Sequence, residues 1–172
     1  MIFDWFQHKQ LYYEDVLQKL SKEKIRYILI GGIAVSLHGA VRLTVDMDII
    51  LDLSEDNIKN FISAMNELGY SPKVPVNPMD FADPEKRKIW INEKNMKVFS
   101  FYHSDKPYDI IDVFVANPIS YAELDKEKVI KKLRGMEIPV PSLKHLIELK
   151  KLAGRDQDRL DVKTLEEIEK LK

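Results

Sequence analysis

The sequence predicts an α/β fold of the α+β kind: a mixed β-sheet flanked by helices, followed by C-terminal helices. Three observations carry this. Short apolar, β-branched runs such as 27–30, 96–102 and 108–115 have the length and composition of strands. Between them lie stretches whose apolar residues recur at helical spacing. Two of the strand runs are separated only by a polar turn at 103–107, which makes them antiparallel neighbours, so the sheet is not purely parallel.

Taken in order, residues 11–24 carry Leu11, Val16, Leu17 and Leu20 among charged neighbours and read as an amphipathic helix. Residues 27–30 follow as a buried strand that stops at Gly31-Gly32, where a chain turns tightly. A short helix over 33–38, closed by Gly39, leads to a strand over 42–51. In that strand Arg42, Thr44, Asp46 and Asp48 share one face, and Leu43, Val45, Met47 and Ile49 share the other. Ser54 caps a helix over 55–68 that ends at Gly69, with Ile58, Phe61, Ile62, Met65 and Leu68 inward. Pro72, Pro75 and Pro78 mark an irregular connection. Residues 80–94 read either as a helix opening at Pro84 or as a helical turn followed by a strand at 89–91. The strand pair comes next, ended by Asn117-Pro118, and then a small hairpin of 129–133 and 136–139 about Arg134-Gly135. Ser142 caps a helix that closes near Gly154, and residues 156–172 form a last helix with Leu160, Val162, Leu165, Ile168 and Leu171 as its apolar side.

At 172 residues the chain is about one domain, 1–172, with a core over roughly 25–116 and a helical part over roughly 142–172. Its 27 basic residues against 28 acidic ones give a formal net charge of −1, which argues against a strongly basic nucleic-acid binder. Cysteine is absent, which removes disulfides, zinc–thiolate sites and thiol nucleophiles. No apolar run approaches the ~20 residues of a membrane span. The start, MIFDWFQHKQ, lacks the basic region and cleavage site of a secretory leader, so a cytoplasmic protein with no membrane partner is expected. His8, His38, His103 and His145 lack metal-ligand spacing and read as surface or packing residues. Trp5, Phe6, Tyr12 and Tyr13 read as an aromatic cluster packing on the core or on a partner, with base stacking as the alternative.

The chemistry concentrates between residues 28 and 52. Two carboxylates two positions apart on a strand repel each other and call for a cation. Mg²⁺ takes oxygen ligands and is commonly held by one or two carboxylates together with substrate phosphates. A glycine turn opening a helix offers backbone N–H groups to an anion. A triphosphate at Gly31 and Gly32, with its metal held by Asp46 and Asp48, is a coherent site.

Gly31, Gly32, the spacer, and then Asp46-Met47-Asp48-Ile49 resemble the signature of the DNA polymerase β-like nucleotidyltransferase superfamily. The run from Arg42 through Thr44 and Asp46 to Asp48 is similar to the bacterial and archaeal branch related to AbiEii-type abortive-infection proteins, which includes toxin and antitoxin partners. Gly32 stands where many members have serine; Ser36, one helical turn on, is the alternative hydroxyl. The resemblance implies a palm-like sheet and a metal-dependent transfer of a nucleoside monophosphate from an NTP. The implied acceptor is a tRNA end, a protein hydroxyl or a small molecule, with a toxin or antitoxin as cognate partner. Two Mg²⁺ ions, or Mn²⁺ in their place, are the implied cofactors. The third carboxylate is Asp112, which matches the family position, or Asp109 nearer the turn. Asp46, Asp48 and Asp112 are then the catalytic metal ligands, with Asp112 on the side of the attacking hydroxyl. Gly31, Gly32, Ser36, Arg42, Thr44 and Lys150 are the expected nucleotide- and phosphate-binding residues. Arg42 either contacts phosphate or braces Asp46, and Lys150 belongs to a C-terminal block resembling a second motif of the branch. Within that block Arg155, Asp158 and Asp161 serve either the substrate or the corner between two helices. The competing reading is a non-catalytic nucleotide- or partner-binding protein that keeps the fold; retention of both Asp46 and Asp48 favours the enzyme.

Overall fold

The structure, a computed structural model, describes residues 13–172. The expectations for Trp5, Phe6, His8, Leu11 and Tyr12 lie outside the described residues. Helix α1 (Glu14–Lys22) buries Val16, Leu17 and Leu20, the apolar positions expected of it. Strand β1 (Tyr27–Ile30) is buried at all four residues. Helix α2 (Gly31–Leu37) begins two residues earlier than the sequence suggests, because Gly31, at φ +71°, turns the chain out of the strand and into the helix at once.

The largest departure from expectation comes just after α2. The strand expected over 42–51 is confined to β2 (Met47–Leu51), and Leu43 and Val45, the first half of its expected apolar face, are 87% and 56% exposed. The cause is the end of both neighbours. Ile30 of β1 pairs with Asp48, and beyond it Gly31 has left the sheet. On the other side β5 (Ile110–Phe114) begins opposite the residue before Met47. A strand without partners has nowhere to place its N–H groups, so the alternation at 41–45 persists in sequence but not as a ladder.

Helix α3 (Glu55–Glu67) ends before Gly69, as expected, but the predicted cap is not made: the Ser54 hydroxyl accepts from Arg26 Nη2 at 2.8 Å instead of from a helix N–H. A short strand β3 (Tyr70–Pro72) and a 3₁₀ turn (Pro78–Ala82) follow, then helix α4 (Pro84–Lys94), which settles the ambiguity at 89–91 as helix. Asp83 accepts from the N–H groups of Glu85 and Lys86, and Pro84 occupies the first turn, both strong helix starts. Strand β4 (Val98–His103) pairs antiparallel with β5 as expected. Helix α5 (Tyr121–Lys126), which the sequence reading did not include, is capped by Ser120. Strands β6 (Val129–Leu133) and β7 (Met136–Val140) form the hairpin. Helix α6 (Leu143–Ala153) is capped by Ser142, whose hydroxyl accepts from His145 N, and stops at Gly154 with φ +67°. Helix α7 (Asp156–Lys170) ends the chain. Its inward stripe runs Asp158, Asp161, Leu165; Leu160 and Leu171, expected inside, are exposed. The helix is rotated because buried partners draw the two aspartates inward.

The sheet has the order β1-β2-β5-β4-β3, with β2 and β5 parallel and the other pairs antiparallel. One face packs on the main core, where Met47, Ile49, Ile111, Val113, Phe99 and Phe101 meet α1, α3 and α4. Phe99 stacks on Trp90 with ring centroids 5.1 Å apart, and Phe101 meets Phe61 edge-on at 5.7 Å. The opposite face is covered beneath β1 and β2 by a second cluster in which Ile28, Ile30 and Ile50 pack on Ile119, Leu124 and Leu149. Among the described residues no helix is long and apolar enough to cross a membrane.

Candidate active site

The ladders assemble the site on the second face. Ile30 lies opposite Asp48, Asp48 opposite Asp112, and Asp112 opposite Ser100. One row across the sheet therefore runs from the end of β1, where the glycines begin, through two neighbouring carboxylates to a hydroxyl. Paired positions on adjacent strands are about 4.8 Å apart, so Asp48 and Asp112 are direct neighbours on the same face. Asp46, two residues before Asp48 in the unpaired segment, is exposed. Asp109 sits elsewhere: it precedes β5, is 8% exposed, and lies beside Tyr13 and Tyr70.

Gly31 is confined by this arrangement. A Cβ there would collide with the Asp48 carboxylate, and its φ of +71° would strain any other residue. The backbone thus lies directly against Asp48. Gly32 is held just as closely, since a Cβ would come within 2.7 Å of Cβ of Thr44. Ser36 has its hydroxyl 2.9 Å from the Arg42 carbonyl and 3.2 Å from the Gly32 carbonyl, so it ties the helix to the extended segment. Tyr13 holds the far end of that segment, its hydroxyl donating to Val45 O at 2.6 Å and accepting from Ile110 N at 3.0 Å.

The electrostatics follow from the crowding of like charges. Burial, reinforced by Asp112 and Asp46, pushes the Asp48 carboxyl up to about 7, against the pull of Lys150 and Arg155. Asp46 is also pushed up, by burial and by Asp112, with Lys73 opposing. On Asp112 the Ser100 hydroxyl donates to Oδ1 at 2.5 Å, and among the described residues Oδ2 receives no hydrogen bond.

Lys150 and Arg42 are both held by carboxylates of α7. Lys150 is 5% exposed, and its Nζ lies 2.8 Å from Asp161 Oδ2 and 3.1 Å from Asp158 Oδ1. Arg42 Nε reaches Asp161 Oδ1 at 3.1 Å, so its brace is on α7 and not on Asp46. Arg155 Nε reaches Asp158 Oδ2 at 2.8 Å, at the corner between α6 and α7. Burial alone would raise both aspartates; hydrogen bonds from Arg155 and Lys150 hold Asp158 below the usual carboxylate range, and those from Lys150 and Gln157 do so for Asp161. Three cations against two carboxylates leave a net positive charge beside the anionic row.

Among the described residues no three His, Asp or Glu side chains are already gathered as a metal-ion site. Mg²⁺ does not require one, since it keeps several waters and takes substrate phosphates with one or two carboxylates. The raised carboxyl of Asp48 is the observation that fits a cation: burial, and after it proximity to Asp112 and Asp46, penalises its charge, and a divalent ion would relieve that penalty. The described histidines form no such group. His38 Nε2 lies 2.8 Å from the Pro141 carbonyl, His103 packs edge-on against Tyr70, and His145 is buried near Glu123 and Glu127. The sequence reading missed Ser100, whose approach to Asp112 is set by the β4–β5 register and leaves no local signature.

The architecture is shared with solved nucleotidyltransferases. The lincosamide antibiotic adenylyltransferase LnuA, solved with lincomycin bound, superimposes with a TM-score of 0.62 at 17% identity, covering 93% of this chain and 98% of that one. A nucleotidyltransferase candidate from Thermotoga maritima gives 0.55 at 17% identity, covering 92% and 96%. ANT(2″)-Ia, solved with adenylyl-2″-tobramycin, gives 0.55 at 13% identity, covering 91% and 90%. No curated protein sequence matches the chain. The profile of the family described as nucleotidyltransferase of unknown function, DUF6036, matches residues 11–171, and the chain belongs to that family.

Proposed function

We propose that the protein transfers a nucleoside monophosphate from an NTP to a hydroxyl acceptor, in a Mg²⁺-dependent reaction centred on Asp48 and Asp112. The observation that carries this reading is their pairing on one face of the sheet, directly beside the backbone of Gly31. Asp46, Asp48 and Asp112 would hold Mg²⁺, with Mn²⁺ as a substitute. When bound, the metal neutralises the triphosphate and the leaving pyrophosphate and acidifies the attacking hydroxyl.

The chain's own residues account for the remainder. Gly31 and Gly32 let the triphosphate approach the backbone where a side chain would block it. Ser36 and Tyr13 hold the segment 40–46, and with it Asp46, at both ends. Asp112, oriented through Oδ1 by Ser100, has Oδ2 to receive the acceptor proton. The Lys150–Asp158–Asp161–Arg42–Arg155 network, three cations on two carboxylates, fixes a positive field close to Asp48 without placing Lys150 in solvent. Catalysis would then consist of positioning and charge neutralisation. LnuA, a lincosamide antibiotic adenylyltransferase solved with lincomycin, and ANT(2″)-Ia, solved with adenylyl-2″-tobramycin, share the fold, which supports nucleoside monophosphate transfer.

The test is transfer of label from each of the four α-³²P-labelled NTPs, in Mg²⁺, to RNA, to protein and to a pool of small hydroxylated compounds. Transfer to one of these, abolished by Asp48→Asn and by Asp112→Asn in folded protein, is expected. Transfer unaffected by Asp48→Asn, or none from any NTP to any pool, contradicts the reading.

A further inference from the structure

The row of paired residues does not stop at Ser100. Ser71 pairs with Tyr102 and Pro72 with Phe101, and Lys73 N donates to the Ser100 carbonyl at 2.9 Å, which continues the register one step and sets Lys73 opposite Ser100. Lys73, Ser100, Asp112 and Asp48 therefore lie on four successive strands in one line, on one face. At the inter-strand spacing Lys73 is about 10 Å from Asp112, and Tyr102, two residues along β4 from Ser100, is displaced by about 7 Å on the same face.

Among the described residues this half of the face is open. The cluster formed with α5 and α6 covers the outward side of β1 and β2 and reaches Phe114, whereas Ser71, Lys73 and Tyr102 are exposed and Val98 and Ser100 are half-buried. Among the described residues Lys73 forms no ion pair, and none of its polar side-chain atoms is taken up by a hydrogen bond. Asp112, whose carboxylate would take the acceptor proton, stands at the boundary between the glycine side of the row and this open side. With a triphosphate at the glycines, the β4–β3 side is an exposed approach to Asp112 for the attacking hydroxyl.

We propose that the outward face of β4 and β3 is the acceptor subsite, and that it takes a nucleotide unit: its hydroxyl at Asp112, its base on the Tyr102 ring and a phosphate at Lys73. This deepens the nucleotidyltransferase reading and rests on it. The three features and their spacing select the ligand. An exposed aromatic ring on a flat sheet stacks a base without regard to sequence, and a nearby cation that forms no ion pair among the described residues, and whose charge also reaches Asp46, meets a phosphate. An enclosed apolar pocket, the usual mark of a small drug-like acceptor, is not what an open sheet face provides. In the step itself the acceptor oxygen forms a bond to the α-phosphorus of the NTP and the bond from that phosphorus to the bridging oxygen breaks. Pyrophosphate leaves with that electron pair, and the hydroxyl proton passes to Asp112. Ser100 acts as a positioning residue through its bond to Asp112.

The experiment measures binding of a fluorescein-labelled single-stranded RNA decamer and, separately, of AMP, alongside ATP·Mg²⁺ binding by calorimetry. The expected result is binding of the decamer or of AMP that is weakened five- to a hundredfold by Tyr102→Ala. Lys73→Ala should weaken it too and, for the decamer, flatten the salt dependence. The affinity of Tyr102→Ala for ATP·Mg²⁺ should stay within threefold of the parent. Decamer binding without AMP binding identifies a polynucleotide end, and the reverse a free nucleotide; either supports the subsite. Absence of binding to both, or binding that neither substitution changes, overturns it. If ATP·Mg²⁺ binds normally in that case, only the acceptor assignment fails; if ATP·Mg²⁺ does not bind, the underlying reading fails with it. Ser100→Ala should lower kcat with little change in KM and alter the pH profile, and Ser100→Thr should restore both.

Discussion

Asp48 sets a conflict between stability and chemistry at a single residue. Its carboxyl is held at about 7 by burial and by Asp112 and Asp46, against an ordinary value of 3.8. In the metal-free protein the native state therefore keeps a proton that the unfolded chain has released across that interval. Stability from this group is present at low pH and falls as pH rises from about 4 to about 7. His38 acts in the opposite sense, because burial lowers its pKa, and folding then gains as pH rises towards its ordinary 6.5. The clean readout is the difference between Asp48→Asn and the parent, in which His38 cancels. In thermal melts without metal, Asp48→Asn should stabilise the protein at pH 8 by up to about 4 kcal/mol, with the gain vanishing towards pH 4. A substitution that is equally destabilising at both pH values would show that Asp48 carries no electrostatic penalty. Asp158 and Asp161 do not interfere, since their depressed values lose stability only as pH falls below the ordinary carboxylate range.

At the scale of the elements, α6 and α7 are tied to the segment before β2 through buried charges. Lys150 bridges Asp158 and Asp161, and Asp161 takes Arg42 from the loop that carries Asp46. Breaking such a pair leaves uncompensated charge in a dry interior, at a cost of about 3–5 kcal/mol. Lys150→Met should therefore lower the midpoint of chemical denaturation markedly, whereas Lys151→Met, one residue on and exposed, should leave it within about 0.5 kcal/mol. A Lys150→Met protein as stable as the parent would argue that the lysine is held for substrate alone. Elements with strong local punctuation were legible in the sequence: β1 between charged helix and glycines, the 129–140 hairpin, and α6 between Ser142 and Gly154. Three were not. The segment 41–45 alternates as a strand does, but its neighbours end before it starts. Strand β3 is three residues long and contains Pro72, and α5 is six residues long, so neither offers a periodic signal.

For the molecule as a whole, a family signature read from a few residues becomes a site only through the order and register of five strands. Gly31, Gly32, Asp46 and Asp48 are close in sequence, and their grouping was legible there. Asp112 was legible as one of two acids, and the parallel β2–β5 register, which sets it beside Asp48, separates it from Asp109. Ser100 and Lys73 were not legible, because a lone serine and a lysine between prolines acquire meaning only from the strand opposite. Among the described residues the glycine side of the row is flanked by helices and the β4–β3 side is open, a division suited to an enzyme that binds two substrates at one pair of carboxylates.

The most direct measurement is calorimetric titration of the protein with ATP in the presence and absence of Mg²⁺, repeated with Asp48→Asn. Metal-dependent ATP binding by the parent, weakened at least tenfold in a folded Asp48→Asn protein, is the result expected from a carboxylate pair that holds a nucleotide through a divalent ion. Equal affinity in the two proteins, or binding indifferent to Mg²⁺, would contradict it.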